Sequence, residues 1–183
     1  MKFSETPLKN CYIIEPDVVK DNRGWFMRTF CKDDFHEIGH TKEWLQLNHS
    51  VSFKKGSLRG MHYQIPPFAE VKMVRCIAGS VFDVVVDIRE SSPTFLKWAG
   101  IELSAQNRNM IYIPEGFAHG FQTLTDNCEL LYHHTEVYTP GYEGGLHYDD
   151  KLLDIQWPLP VTEMSERDRN HPYLDNNFKG IAI

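Results

Sequence analysis

The stretch SLRGMHYQIPPFAEVKMVR, residues 57–75, sets a lone histidine, His62, between Arg59 and Lys72, with a Pro-Pro pair at 66–67. An imidazole changes charge near neutrality, so His62 can be a base, a metal ligand or a hydrogen-bonded core group. Further histidines stand in apolar runs: His119 in IPEGFAHGF, and His133 and His134 in CELLYHHTEVY. A transition metal needs several imidazole, thiolate or carboxylate ligands converging on one point. Here His62 is followed by Tyr63 and Gln64 rather than by a second imidazole, and His133 and His134, as neighbours in a strand, face opposite ways. No metal is therefore expected. Residue type alone leaves His62 as a core histidine by default, with the base as the sharper alternative.

Strands have to hold these groups. Short β-branched and aromatic runs, among them CYIIEPDVV, GWFMRTF, VKMVRCIAG, SVFDVVVDI, NMIYIPEG and HGFQTLT, alternate with Gly, Pro, Asn and Asp signals. That rhythm implies a sandwich or barrel. Gly79-Ser80 reads as a tight hairpin turn between two such runs, and KDDFHEIG as a short helix ended by Gly39. Strict alternation in CELLYHHTEVY puts Cys128, Leu130, Tyr132, His134, Glu136 and Tyr138 on one face, so Tyr132 and Tyr138 are expected to share a cavity. A regular strand would point Arg59 and His62 to opposite faces. Gly60 between them permits the bulge that would bring both to one site. In the next run Lys72, Val74 and Cys76 alternate with Met73 and Arg75, which gives each face one long cation.

At 183 residues and 42% hydrophobic content the chain is expected to form one unit over 1–183. The formal charge of −6 argues against a nucleic-acid surface, yet a few Arg and Lys can hold one diphosphate. Cys11, Cys31, Cys76 and Cys128 have neither disulfide-framework nor zinc-knuckle spacing and are expected as reduced thiols. Asn48 in NHS sits in an ordinary polar segment. No long apolar run and no basic-then-apolar start are visible, so a soluble, cytoplasmic protein that makes no membrane contact is expected.

Pro114, Gly116 and His119 form P-x-G-x-x-H, which resembles the second motif of the cupins, all-β double-stranded barrels of the jelly-roll type. More specifically, DNRGWF, SLRGMHYQ, VKMVRCIAGSVFDVVVDIR, SPTFLKW, IELSAQNR, YIPEGFAHGF, LLYHHTEVY and DIQWP resemble, in order and spacing, the dTDP-4-dehydrorhamnose 3,5-epimerase family. The resemblance implies a cupin barrel with a few short peripheral helices and a nucleotide-diphospho-4-keto-6-deoxy sugar as substrate. It implies inversion at C3 and C5 through an enolate, with no cofactor. Epimerisation at C3 alone, a different keto sugar such as a heptose, and a non-catalytic or metal-dependent carbohydrate-binding cupin are the alternatives.

By the same resemblance His62 is the base, Tyr132 the acid across the ring, Lys72 the cation at the developing oxyanion and Asp168 the carboxylate that orients His62. For Asp168 a competing reading exists, since Ser165-x-x-Asp168 is also a capping-box pattern. Arg23, Gln46, Asn48, Arg59, His119, Tyr138, Glu143 and Arg167 are the implied substrate-binding residues. A homodimer is implied too, with Arg23 reaching the partner's site. Arg28 and Leu47 depart from the family's usual Glu and Asp, and Arg167 from a usual Lys, which leaves the nucleobase open.

Overall fold

The computed structural model describes residues 1–183. In chain order its elements are β1 (Lys2–Glu5), β2 (Tyr12–Glu15), β3 (Val18–Asp21), β4 (Gly24–Met27), α1 (Lys32–His36), β5 (Gln46–Ser52), β6 (Leu58–Gln64) and β7 (Lys72–Ala78). They continue with β8 (Ser80–Asp87), β9 (Trp98–Ser104), β10 (Met110–Ile113), β11 (Phe117–Thr123), β12 (Cys128–His134), β13 (Glu143–Gly145) and α2 (Glu166–Arg169). A six-stranded sheet, β1-β2-β10-β7-β12-β5, faces a five-stranded sheet, β13-β6-β11-β8-β9, while β3 and β4 form a separate hairpin. The fold is thus all-β with two short helices, in keeping with the expected jelly roll.

Alternation along the strands explains where the core lies. Val74, Cys76, Ile111, Ile113, Cys128 and Leu130 from the larger sheet meet Val81, Val85, Leu103, Phe117 and Phe121 from the smaller one. The outer faces are covered as well. Helix α1 lays Phe35 over Ile14, Met73 and Tyr112, and the C-terminal segments bring Leu153, Ile155, Trp157 and Phe178 over Met61, Val84 and Val86. Toward one end the inward rows turn polar: Cys76 and Val74 give way to Lys72 on β7, and Cys128 and Leu130 to Tyr132 and His134 on β12. Lys72 and His134 are register partners, so the polar ends of the two strands lie side by side.

Three local expectations need correction. Gly79-Ser80 is not a hairpin, because β7 and β8 belong to different sheets; Gly79, at φ +74°, turns the chain across the barrel. A local turn signal specifies a change of direction but not which sheet the next strand joins. Strand β12 ends at His134, so Tyr138 lies beyond it, exposed, with its amide donating to Gln46 Oε1 at 3.0 Å. The polar segment around Asn48 is strand β5, the edge of the larger sheet.

The bulge expected at Gly60 is present. Pairing with β11 steps from His62↔His119 to Arg59↔Phe121, three residues against two. Gly60 has φ +119°, and a Cβ there would lie 2.6 Å from Gly120 Cα and 2.8 Å from the His119 carbonyl oxygen. Both the dihedral and the close approach demand glycine. Gly60→Ala is expected to lower unfolding free energy by roughly 2 kcal/mol or more, read as a fall in the urea midpoint at unchanged slope.

Candidate active site

Three hollows of about 560, 250 and 380 Å3 meet at His62, which lines all of them. Arg59 belongs to the first two, Asn48, Lys72 and His134 to the last two, and Arg167 to the first and third. They form a branched trench at the polar end of the barrel. Tyr132 and Tyr138 fall in adjoining compartments rather than in a common one.

His62 and Asp168 are paired through a 2.7 Å bond from Nε2 to Oδ1. The second carboxylate oxygen accepts the Gly60 amide at 3.1 Å. Ser165 Oγ accepts the Asp168 amide at 3.0 Å, so Ser165 caps α2 while the aspartate side chain turns toward His62. The cap and the histidine contact, which compete in the sequence, coexist because one uses the backbone of Asp168 and the other its carboxylate. Burial favours the neutral acid, but the bond from His62 and its charge, with help from Gly60 and Ser165, outweigh it and lower the Asp168 pKa. An ionised Asp168 that accepts Nε2–H leaves the His62 lone pair on Nδ1.

The facing wall comes from the other sheet. Inward residues of β5 and β12 put the Tyr132 hydroxyl 3.1 Å from Ser50 Oγ, and burial raises the phenol's pKa despite that bond. The side chain therefore stays protonated and able to donate. Lys72 is buried, its ammonium 3.0 Å from Glu70 Oε1, while Glu70 Oε2 accepts from His134 Nδ1 at 2.8 Å. Burial opposes ionisation of Glu70, but the charge of Lys72 and the bond from His134 prevail and lower its pKa. His133, by contrast, packs outward against the edge of Trp44.

His119 donates from Nε2 to Asp83 Oδ2 at 2.9 Å; burial pushes the Asp83 carboxyl up against the pull of His119. Arg59 Nε reaches Ser52 Oγ at 3.1 Å and its Nη2 the Val51 carbonyl at 2.8 Å. In the third compartment Gln46 Nε2 donates to Asn48 Oδ1, the Tyr138 hydroxyl donates to Glu143 at 2.9 Å, and Arg167 lies 3.8 Å from the same carboxylate. Arg23 is the exception among the expected residues. It sits at the β3–β4 turn, 86% exposed and bonded to Asp21, and lines none of the three hollows. Arg28 and Leu47 also lie outside the trench, Leu47 on the outward face of β5.

A family model described as dTDP-4-dehydrorhamnose 3,5-epimerase matches residues 5–176. The chain belongs to that family. A dTDP-4-dehydrorhamnose 3,5-epimerase of Shigella flexneri is 47% identical over 180 residues, 97% of this chain and 99% of the relative. The crystal structure of the enzyme of that name from Elizabethkingia anophelis superposes with a TM-score of 0.92 at 41% identity, covering 97% of this chain and 98% of the other. A dTDP-6-deoxy-D-glucose-3,5-epimerase from Legionella pneumophila, solved with dTDP-4-keto-L-rhamnose, gives 0.92 at 38% identity over 100% of this chain and 98% of its own.

In this epimerase-family site the residues missed from the sequence are Ser50, Glu70, Asp83 and His134. Each pairs with a residue 36 to 82 positions away along the chain, although Glu70 also pairs with Lys72 two positions on. The inward alternation of β12 does place His134 beside Tyr132, which is the one signal available. For Glu70 the folded carboxyl is more acidic than the unfolded one, near pH 4.3. Its stabilisation is thus present above that value and lost as pH falls through the lower folded pKa. Glu70→Gln should flatten the acid-side fall in the urea midpoint below about pH 5, and lower the midpoint at neutral pH by leaving Lys72 unpaired.

Proposed function

We propose that the chain inverts C3 and C5 of dTDP-4-dehydro-6-deoxy-D-glucose to give dTDP-4-dehydro-L-rhamnose, with His62 as base and Tyr132 as acid. The observation that carries this reading is that His62, on the smaller sheet and oriented by Asp168, and Tyr132, on the larger sheet, line one shared hollow. The C4 carbonyl acidifies the hydrogens on its two neighbouring carbons. His62 Nδ1 takes one of them, the electron pair moves onto the carbonyl oxygen, and Lys72 stabilises that oxyanion. Tyr132 returns a proton to the opposite face and the centre inverts. His62 then gives its proton to solvent and Tyr132 regains one, and the same cycle at the second carbon completes the reaction, with no net gain or loss of electrons by the sugar. Arg59, Gln46, Asn48, His119, Tyr138, Glu143 and Arg167 hold the nucleotide diphosphate and sugar.

A homodimer in which Arg23 enters the partner's trench completes the site. Arg23 rides on a hairpin that exposes Val19, Trp25 and Phe26, and edge strand β5 exposes Leu47 beside Leu45 and Phe53. Two such apolar surfaces, one on a hairpin and one on an unpaired strand edge, suit pairing with a second copy. No helix is long and apolar enough to cross a membrane, which accords with a nucleotide-sugar enzyme working in the cytoplasm.

In heavy water the protein should introduce deuterium at C3 and C5 of the dTDP-4-keto sugar, followed by proton NMR. His62→Asn should slow both exchanges roughly a hundred- to ten-thousand-fold, and Lys72→Met roughly a hundred- to a thousand-fold. Exchange that is absent with the wild-type chain, or undiminished in His62→Asn, rules the assignment out. Mixing His62→Asn chains with Arg23→Ala chains should restore activity, since a mixed dimer keeps one intact site; no rescue would mean that Arg23 does not act across the interface.

A further inference from the structure

Beside the His62–Asp168 pair stands an imidazole that the proposed mechanism does not use. His171 follows α2, and its Nε2 lies 3.5 Å from Asp168 Oδ1, the oxygen that accepts from His62 at 2.7 Å. Its side chain is 9% exposed, and Nε2 is enclosed without a hydrogen-bond partner. The ring meets that of His62 at 5.5 Å between centroids and 77° between planes. It also rests on Gly145, where a Cβ would come within 2.1 Å of it, so the backbone of β13 pins the ring in place. A buried nitrogen left short of a carboxylate calls for an explanation, and a missing ion is one of the few available.

We propose that His62, Asp168 and His171 form a binding site for a divalent transition-metal ion, zinc above all, whose occupation switches the base off. One nitrogen from each histidine and one oxygen of Asp168 lie within 4.8 Å of one another. Two imidazoles and a carboxylate are a ligand set that zinc favours, and bond lengths of about 2.0–2.2 Å put neighbouring donors about 3.3 Å apart. The His171–Asp168 separation of 3.5 Å is already close to that value and the His62–Asp168 one of 2.7 Å falls short of it, so the adjustment falls on the His62 ring. Asp168 Oδ2 is already anchored on the Gly60 amide, an outer hydrogen bond of the kind that orients ligating carboxylates. The His62 side chain is 39% exposed and lines the trench, so an ion can reach the cluster from solvent. Arg59 and Arg167 line the same hollow and oppose a cation, which lowers the affinity.

The switch follows from the tautomer and rests on the reading of His62 as the base. In the metal-free pair the proton is on Nε2 and the lone pair on Nδ1. Zinc takes the Nε2 lone pair, the displaced proton passes through water to Nδ1, and His62 stays neutral with no net proton released and nothing oxidised or reduced. The atom that has to accept a hydrogen from carbon is then itself an N–H.

Zinc chloride titrated into the full chain by calorimetry at neutral pH should bind one ion per chain. His171→Asn and Asp168→Asn should each weaken binding by about tenfold or more, and His171→Gln serves where Asn proves unstable. His49→Ala, which removes the exposed His49–Glu129 pair, should leave binding unchanged. In 15N NMR the His62 Nδ1 signal should move from the unprotonated to the protonated range as zinc is added. Absence of saturable binding, affinity unaltered in both His171 variants, or a His62 Nδ1 that stays unprotonated would overturn the proposal. Saturable zinc binding that depends on His171 in a protein that exchanges no sugar hydrogens would support the cation site and count against the epimerase reading instead.

Discussion

Asp168 ties together parts of the chain that are more than a hundred residues apart. One oxygen accepts the hydrogen bond from His62 Nε2–H, the other that from the Gly60 amide, and its own amide is capped by Ser165. Helix α2, strand β6 and the β6 bulge are thereby locked at a single carboxylate that is itself only 3% exposed. Without it, the glycine-permitted kink that turns Arg59 and His62 to the same trench would have no partner for its freed amide. The tautomer of His62 would also be undetermined. Geometry and protonation state have the same source here.

The trench is the polar end of an otherwise apolar barrel, and this imposes a pairing rule. Charged or titratable groups are costly to bury unless matched and hydrogen-bonded. Each inward imidazole accordingly has a carboxylate: His62 with Asp168, His119 with Asp83, His134 with Glu70. Glu70 also neutralises Lys72, so a cation and a histidine are held by one acid. Such pairing fixes side-chain orientation before any ligand arrives, which is the condition under which fixed dipoles and charges act best on a developing oxyanion.

How much of this could be read beforehand depended on whether the signal was local. His62, Tyr132 and Lys72 lie in short motifs whose order carried the family resemblance, Asp168 was assigned through that resemblance from outside those motifs, and the bulge at Gly60 followed from requiring Arg59 and His62 at one place. Glu70, Asp83 and Ser50 were silent because their meaning lies in cross-strand pairs. Strand β5 was missed for a different reason: its polar residues Gln46, Asn48 and Ser50 point inward to the trench, while Leu47 points outward, inverting the usual pattern of an amphipathic strand. Gly79 was misread because turning within a sheet and crossing between sheets use the same residues.

The placement of α2 after all thirteen strands in chain order has a consequence for biogenesis. Most of the β-framework, including His62, Lys72 and Tyr132, is synthesised before residues 165–168 leave the ribosome. A nascent barrel can therefore close around its apolar interior while its histidine still lacks the carboxylate that orients it. Orientation of that histidine has to wait until residues 165–168 have emerged and α2 has docked against β6.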